Sequence, residues 1–145
     1  MATAERRADV VWRGDLPTGS GSLDLESSGI LKGAGITWAS RTEQPEGKTS
    51  PEELIAGAHA GCYSMAFSNV LAEGGNVAEQ LDVSATCTFD AGSIKITTMV
   101  LDVRGRVPGL DEEGFRSVAE EGEKACPVSN ALRGNVDIQI NATLV

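Results

Sequence analysis

The stretch GAHAGCYSMAF, residues 57–67, sets Cys62 among small residues in an apolar run, with the chain's single histidine, His59, three residues before it. A second thiol, Cys126, stands before a proline in ACPVSNAL, residues 125–132. Thiols act as nucleophiles or redox groups only as thiolates, and an ordinary cysteine is a few per cent ionised near neutral pH. Cys62 reads as mid-helix, too far from the helix start for the dipole to help, and burial alone favours the neutral thiol. Reactivity there requires an imported cation. Lysine and arginine total only 12, and Arg41, at the end of a strand, is the one near the mouth of the Cys62 helix in sequence. An arginine held there needs an anion of its own. Glu52, nearly three turns before Cys62, can clamp it, and as a first-turn carboxylate it suits the helix dipole equally well.

Cys126 sits where a thiolate is favoured, at the start of a helix opened by Pro127, and reads also as a cap residue with a buried thiol. His59 and Cys62 are three apart and share a helix face, so a metal pair or a Cys–His nucleophile is conceivable. A histidine packed among alanines is the commoner outcome, and H-x-x-C without a second ligand pair makes a poor zinc site. The third cysteine, Cys87, occupies an inward slot of an alternating strand, where a free thiol behaves as a small hydrophobe. Two further functions therefore stand beside thiol redox chemistry. One is a metal- or ligand-binding thiol protein using Cys62, His59 and Cys126. The other is a Cys–His acyl hydrolase, for which no acid to orient His59 is evident.

The totals narrow the classes. One domain over residues 1–145 is the expectation at this length, and 41% hydrophobic residues suffice for a core. A net charge of −9 disfavours nucleic acid and anionic membrane surfaces as partners. MATAERRADVVW holds no apolar run of signal-peptide length, so a cytoplasmic protein is expected. The most apolar segment, residues 54–72, contains His59, Ser64, Ser68 and Asn69 and reads as a buried helix, not a membrane span. Three cysteines suggest buried thiols, a metal site or redox chemistry in preference to disulfide staples.

The elements that must position these groups are legible from pattern. Residues 9–16 and 21–26 read as strands split by Pro17-Thr18-Gly19, and a third strand runs through Ile36 and Trp38 to end near Arg41. Residues 42–49 read as a loop. Ser50-Pro51-Glu52-Glu53 is a helix start: a cap, a proline at the first turn and a capping-box glutamate. The helix should run to Glu73, where Gly74-Gly75 stop it. Leu54, Ile55, Ala58, Cys62, Met65, Ala66, Val70 and Leu71 leave almost no polar face in its middle, so it should be covered on most sides. In a chain this small, a second subunit is a natural source of that cover. Strands follow at 81–89 and 93–107, then a helix at 111–124, a short helix from Pro127 to Leu132 capped by Cys126, and a last alternating strand through Val136, Ile138, Ile140, Ala142 and Leu144. The order is βββ-α-ββ-αα-β, an α+β fold with a long buried central helix.

SPEELIAGAHAGCYSMA, residues 50–66, resembles the long-helix signature of the OsmC/Ohr family of hydroperoxide-reducing proteins, and ACPVSNAL resembles that family's second cysteine motif. The motifs come in the family's order, and the likeness covers nearly the whole chain. The helix histidine and the longer connection after Arg41 look more like the OsmC branch. The resemblance implies a thiol peroxidase in which Cys62 attacks an organic hydroperoxide, or hydrogen peroxide, and Cys126 resolves the product as a disulfide. The family's glutamate falls on Glu52 and its arginine on Arg41, with Arg13 or Arg104 as stand-ins. It further implies an intertwined homodimer with sites at the subunit interface, recycling by a dithiol reductant such as lipoyl groups, and no metal or other cofactor.

Overall fold

The computed structural model describes residues 2–145. The chain divides into two compact units, Met1–Pro51 and Glu52–Val145. In the first, β1 (Ala8–Arg13), β2 (Ser20–Leu25) and β3 (Ala34–Ile36) form an antiparallel sheet in that order. β1 stops short of residue 16 because Asp15 organises the turn, its Oδ1 accepting from the Thr18 amide at 2.9 Å and the Thr18 hydroxyl at 2.6 Å. The third strand also ends earlier than its apolar residues suggest. Trp38–Thr42 is a short helix, α1, so Arg41 lies in a helical last turn and not at a strand end. The cause is a reciprocal cap: Thr37 Oγ1 accepts from the Ser40 amide at 3.0 Å, while Ser40 Oγ accepts from the Thr37 amide at 2.9 Å.

The second unit carries the long helix α2 (Pro51–Glu73), then β4 (Gln80–Asp90), β5 (Lys95–Arg106), α3 (Glu112–Lys124), α4 (Pro127–Leu132) and β6 (Asp137–Leu144). β4 pairs antiparallel with β5, and β5 pairs parallel with β6 across the α3–α4 crossover. The register stacks cross-strand rows on one face: Cys87–Met99–Ile138, Ala85–Leu101–Ile140 and Val83–Val103–Ala142. The intervening residues, among them Ser84, Asp102 and Asn141, form a polar second face, as period-2 alternation demands. Arg104 is exposed on that polar face, on the side of the sheet opposite Leu101 and Val103 of the core.

α3 begins at Asp111, whose carboxylate accepts from the Gly114 amide at 2.7 Å. Its buried residues, Phe115, Ala119 and Gly122, recur at helical spacing. Two glycines set how closely this layer packs. A Cβ on Gly105 would lie 2.4 Å from the Phe115 ring, and one on Gly122 would lie 3.0 Å from the Phe67 backbone on α2. The core joins Tyr63, Phe67 and Leu71 of α2 to Leu101, Val103, Val107, Phe115, Ala119 and Cys126. Tilted rings link it, Tyr63 to Phe67 at 5.5 Å and Phe67 to Phe115 at 5.2 Å. The buried positions of α2 are Glu52, His59, Tyr63, Phe67 and Leu71. Gly57, Ala58, Gly61, Met65 and Ser68 remain exposed, so the chain itself covers one side of the long helix. Among the described residues, no helix is long and apolar enough to cross a membrane.

Candidate active site

The α3–α4 junction sets one of the two motif cysteines. The chain must leave the helix before Pro127, because a residue preceding proline avoids helical torsions, and Cys126 takes an extended conformation as the N-cap of α4. Its thiol replaces the usual hydroxyl or carboxylate cap, accepting from the Ser129 amide at 3.5 Å, and its side chain is fully buried.

Cys62 stands on α2 three residues after His59, half-buried. Although distant in the chain, the two motif thiols meet. Burial pushes the Cys62 thiol up; a hydrogen bond from the Val128 backbone opposes this; the Cys126 side chain, by hydrogen bond and by charge, pushes it up further. Among the described residues of this unit, none of the groups acting on Cys62 is a cation. Both cysteines are free thiols.

His59 is fully buried, and its Nε2 shares a 2.7 Å hydrogen bond with Ser129 Oγ; its Nδ1 has no partner among the described residues. Desolvation lowers its pKa, with the Glu123 charge acting the other way, so the ring is held neutral. The sequence shows His59 but not its partner, since a serine inside the second motif carries no mark of facing a histidine 70 positions away. This pairing weakens the acyl-hydrolase reading, because Nε2 is engaged by Ser129 and not by Cys62. Nor do the described residues contain a group of three His, Cys, Asp or Glu side chains able to hold a metal. Tyr63, one residue after Cys62, donates its hydroxyl to the Ala119 carbonyl at 2.8 Å, and burial pushes its own pKa up.

Glu52 is 6% exposed on the first turn of α2. Its charge reaches Cys87 on β4, whose thiol is pushed up by burial first and by Glu52 second. Arg41 belongs to the amino-terminal unit, with its guanidinium 5.8 Å from the centre of the Trp38 ring. Arg13, the other stand-in, is exposed at the end of β1. A groove of about 770 Å³ runs along α3 and β6 past Arg116, Glu123, Arg133 and Ile140, and neither motif cysteine lines it.

The site thus sets a free thiol on α2 beside a second free thiol at the start of α4, groups whose chemistry as thiolates is nucleophilic attack and exchange. A model of the OsmC-like protein family matches residues 44–141, a span that holds both cysteines and leaves Arg41 just outside. Peroxiredoxin OsmC of Escherichia coli (strain K12) is 33% identical over 138 residues, covering 94% of this chain and 95% of that protein. An organic hydroperoxide resistance protein of Xanthomonas axonopodis pv. citri is 30% identical over 98 residues, covering 63% of this chain and 65% of that one. Among solved structures, the OsmC like protein from Mycoplasma pneumoniae aligns over 99% of both chains with TM-score 0.75 at 16% identity. The organic hydroperoxide resistance protein OhrB of Bacillus subtilis aligns with TM-score 0.68 at 25% identity, over 94% of this chain and 98% of that one. With the family model spanning more than half its length and a relative matched nearly end to end, this chain belongs to the OsmC family.

Proposed function

We propose that this protein is a cysteine-based peroxidase that reduces organic hydroperoxides, and hydrogen peroxide as well. The observation that carries the reading is the meeting of Cys62 with Cys126 at the start of α4. Relatives named for peroxiredoxin activity and hydroperoxide resistance support it. In the first step the Cys62 thiolate attacks the terminal peroxide oxygen of ROOH; the O–O bond breaks, an alkoxide leaves and takes a proton from water, and Cys62 becomes a sulfenic acid. In the second, the Cys126 sulfur attacks Cys62 Sγ; the S–S bond forms, the S–O bond breaks, and the hydroxyl leaves as water with the Cys126 proton. An external dithiol, of the lipoyl type, then reduces the disulfide by two exchanges and is itself oxidised.

Burial raises Cys62, so the first step needs a positive charge brought to the sulfur. In this reading Arg41 supplies it and also stabilises charge developing on the peroxide oxygens, with Glu52 holding the guanidinium. The working form is an intertwined homodimer, which accounts for the open small-residue side of α2 and for Val10, Val11 and Trp12 lying exposed on β1. Dithiol recycling suits a cytoplasmic setting, where thiols are kept reduced.

The test is intact mass after one equivalent of cumene hydroperoxide is added to reduced protein. Loss of about two daltons, mapping to Cys62–Cys126, is expected for disulfide formation. Cys62→Ser should consume no peroxide, and Cys126→Ser should complete one oxidation without efficient recycling. Equal peroxide consumption by wild type and Cys62→Ser would overturn the proposal.

A further inference from the structure

α4 is six residues long, too short to hold its own direction by helix propensity. Its first turn nevertheless carries three groups that address the thiols or their helix. Val128 donates its amide toward Cys62, Ser129 donates its amide to Cys126 Sγ, and Ser129 Oγ bonds His59 Nε2. His59 lies one turn before Cys62 on α2. The contacts close a ring: Cys62 to Cys126, Cys126 to Ser129, Ser129 to His59, and back along α2 to Cys62. Two of its members, His59 and Ser129, are wholly buried yet take no part in the bond changes written above.

A buried imidazole with one nitrogen unpartnered is a costly residue where a leucine would fit. What it gains here is direction. A leucine at position 59 would fill space but leave the α4 turn free to rotate about its own axis. The 2.7 Å bond from Nε2 to Ser129 Oγ fixes that turn in both depth and rotation. Fixing Ser129 fixes the thiol that its amide addresses.

We propose that His59 and Ser129 are a positioning pair, which locks the first turn of α4 on α2 and holds Cys126 Sγ in line to attack Cys62. The proposal rests on the peroxidase reading for its kinetic consequence, but its geometric content concerns only how readily the two thiols join. In the resolving step, Cys62–SOH and Cys126–SH give the disulfide and water, and the pair neither gains nor loses a proton. Its effect is on the effective concentration of one sulfur at the other.

The experiment compares wild type with Ser129→Ala, His59→Leu and two conservative replacements, Ser129→Thr and His59→Gln, which keep a hydroxyl and a side-chain nitrogen at similar reach. Fold is verified by circular dichroism and gel filtration, and Ser129→Ala, the smaller change, stands in if His59→Leu does not fold. In the first arm, reduced protein meets one equivalent of cumene hydroperoxide; trapped sulfenic acid and disulfide are counted by mass over time. Disulfide formation should slow about tenfold relative to sulfenic acid formation in the disrupting variants, and the conservative ones should recover it. In the second arm, no peroxide is used: the proteins are equilibrated in reduced and oxidised dithiothreitol, and the Cys62–Cys126 disulfide fraction is read. The equilibrium constant should fall about tenfold in Ser129→Ala and recover in Ser129→Thr. Unchanged disulfide equilibria in Ser129→Ala, or equal losses in Ser129→Thr and Ser129→Ala, would overturn the pair. A wild type that ignores peroxide yet shows the expected equilibrium shifts would overturn the peroxidase reading and leave the pair standing.

Discussion

Cys62 is pushed toward its neutral form by the unit that carries it, and this sets the terms for every residue around it. If Arg41 supplies the missing charge, Arg41→Ala should move the onset of Cys62 alkylation to higher pH, since removing a cation favours the thiol. Iodoacetamide rates against pH, measured in a Cys87→Ser, Cys126→Ser background, read this directly; an unmoved onset would assign the charge elsewhere. Arg41→Lys should recover part of the shift but not the planar, two-handed donor geometry. His59 gives a second pH signal. Its native pKa is lowered by desolvation, the Glu123 charge opposing, while in the unfolded chain it titrates near ~6.5. Above that value both states are neutral. As pH falls below it, the unfolded chain takes up a proton that the native ring declines, so stability declines as pH falls toward the native value. Urea midpoints between pH 7.5 and 5 should therefore drop more steeply in wild type than in His59→Gln. The chain has one histidine, which makes the difference attributable. Sequence alone identifies the thiols and the histidine as chemically distinctive, because type and small neighbours are local facts. It is silent on Ser129 as the histidine's partner, because that bond depends on how α4 lands on α2.

At the scale of elements, legibility follows how local the deciding interaction is. S-P-E-E and the paired glycines foretell α2's bounds at Pro51 and Glu73 because a first-turn proline and carboxylates, and a glycine terminator, act within a turn. Cys126-Pro127 likewise separates α3 from α4. α1 escapes a reading based on apolar alternation, since Ile36 and Trp38 look like one strand while the Thr37–Ser40 capping box turns the chain into a helix. The T-x-x-S spacing was the available signal, in a form weaker than the glutamate version. Packing between elements leaves no such trace. Nothing in EEGFRSVAEEGEK says that Gly122, rather than Gly114, is where α3 meets α2. The close approach makes it testable. Gly122→Ala should destabilise the protein by about 1–3 kcal/mol through overpacking against Phe67, despite alanine's better helix propensity.

For the whole molecule, the exposed side of α2 is the face on which the proposed homodimer is to be tested. Met65 is 68% exposed on a helix whose flanking positions are glycine, serine and alanine. In a dimer that buries this side, Met65→Glu should place an unpaired charge in the interface and convert the protein to monomer by light scattering, leaving the far-ultraviolet spectrum of the chain unchanged. A variant that stays dimeric would move the interface off this face. The apolar pattern of α2 raises the expectation of cover on most sides, and the single chain leaves one side of that helix exposed. The position of Cys126 within the β5–β6 crossover has a last consequence. Joining it to Cys62 would close a covalent loop that contains β4, β5 and α3, lowering the entropy of the unfolded chain by the equivalent of about 4 kcal/mol. In the proposed cycle the chain would alternate between a tethered state and a slack one, so that its oxidised form would also be the more heat-resistant of the two.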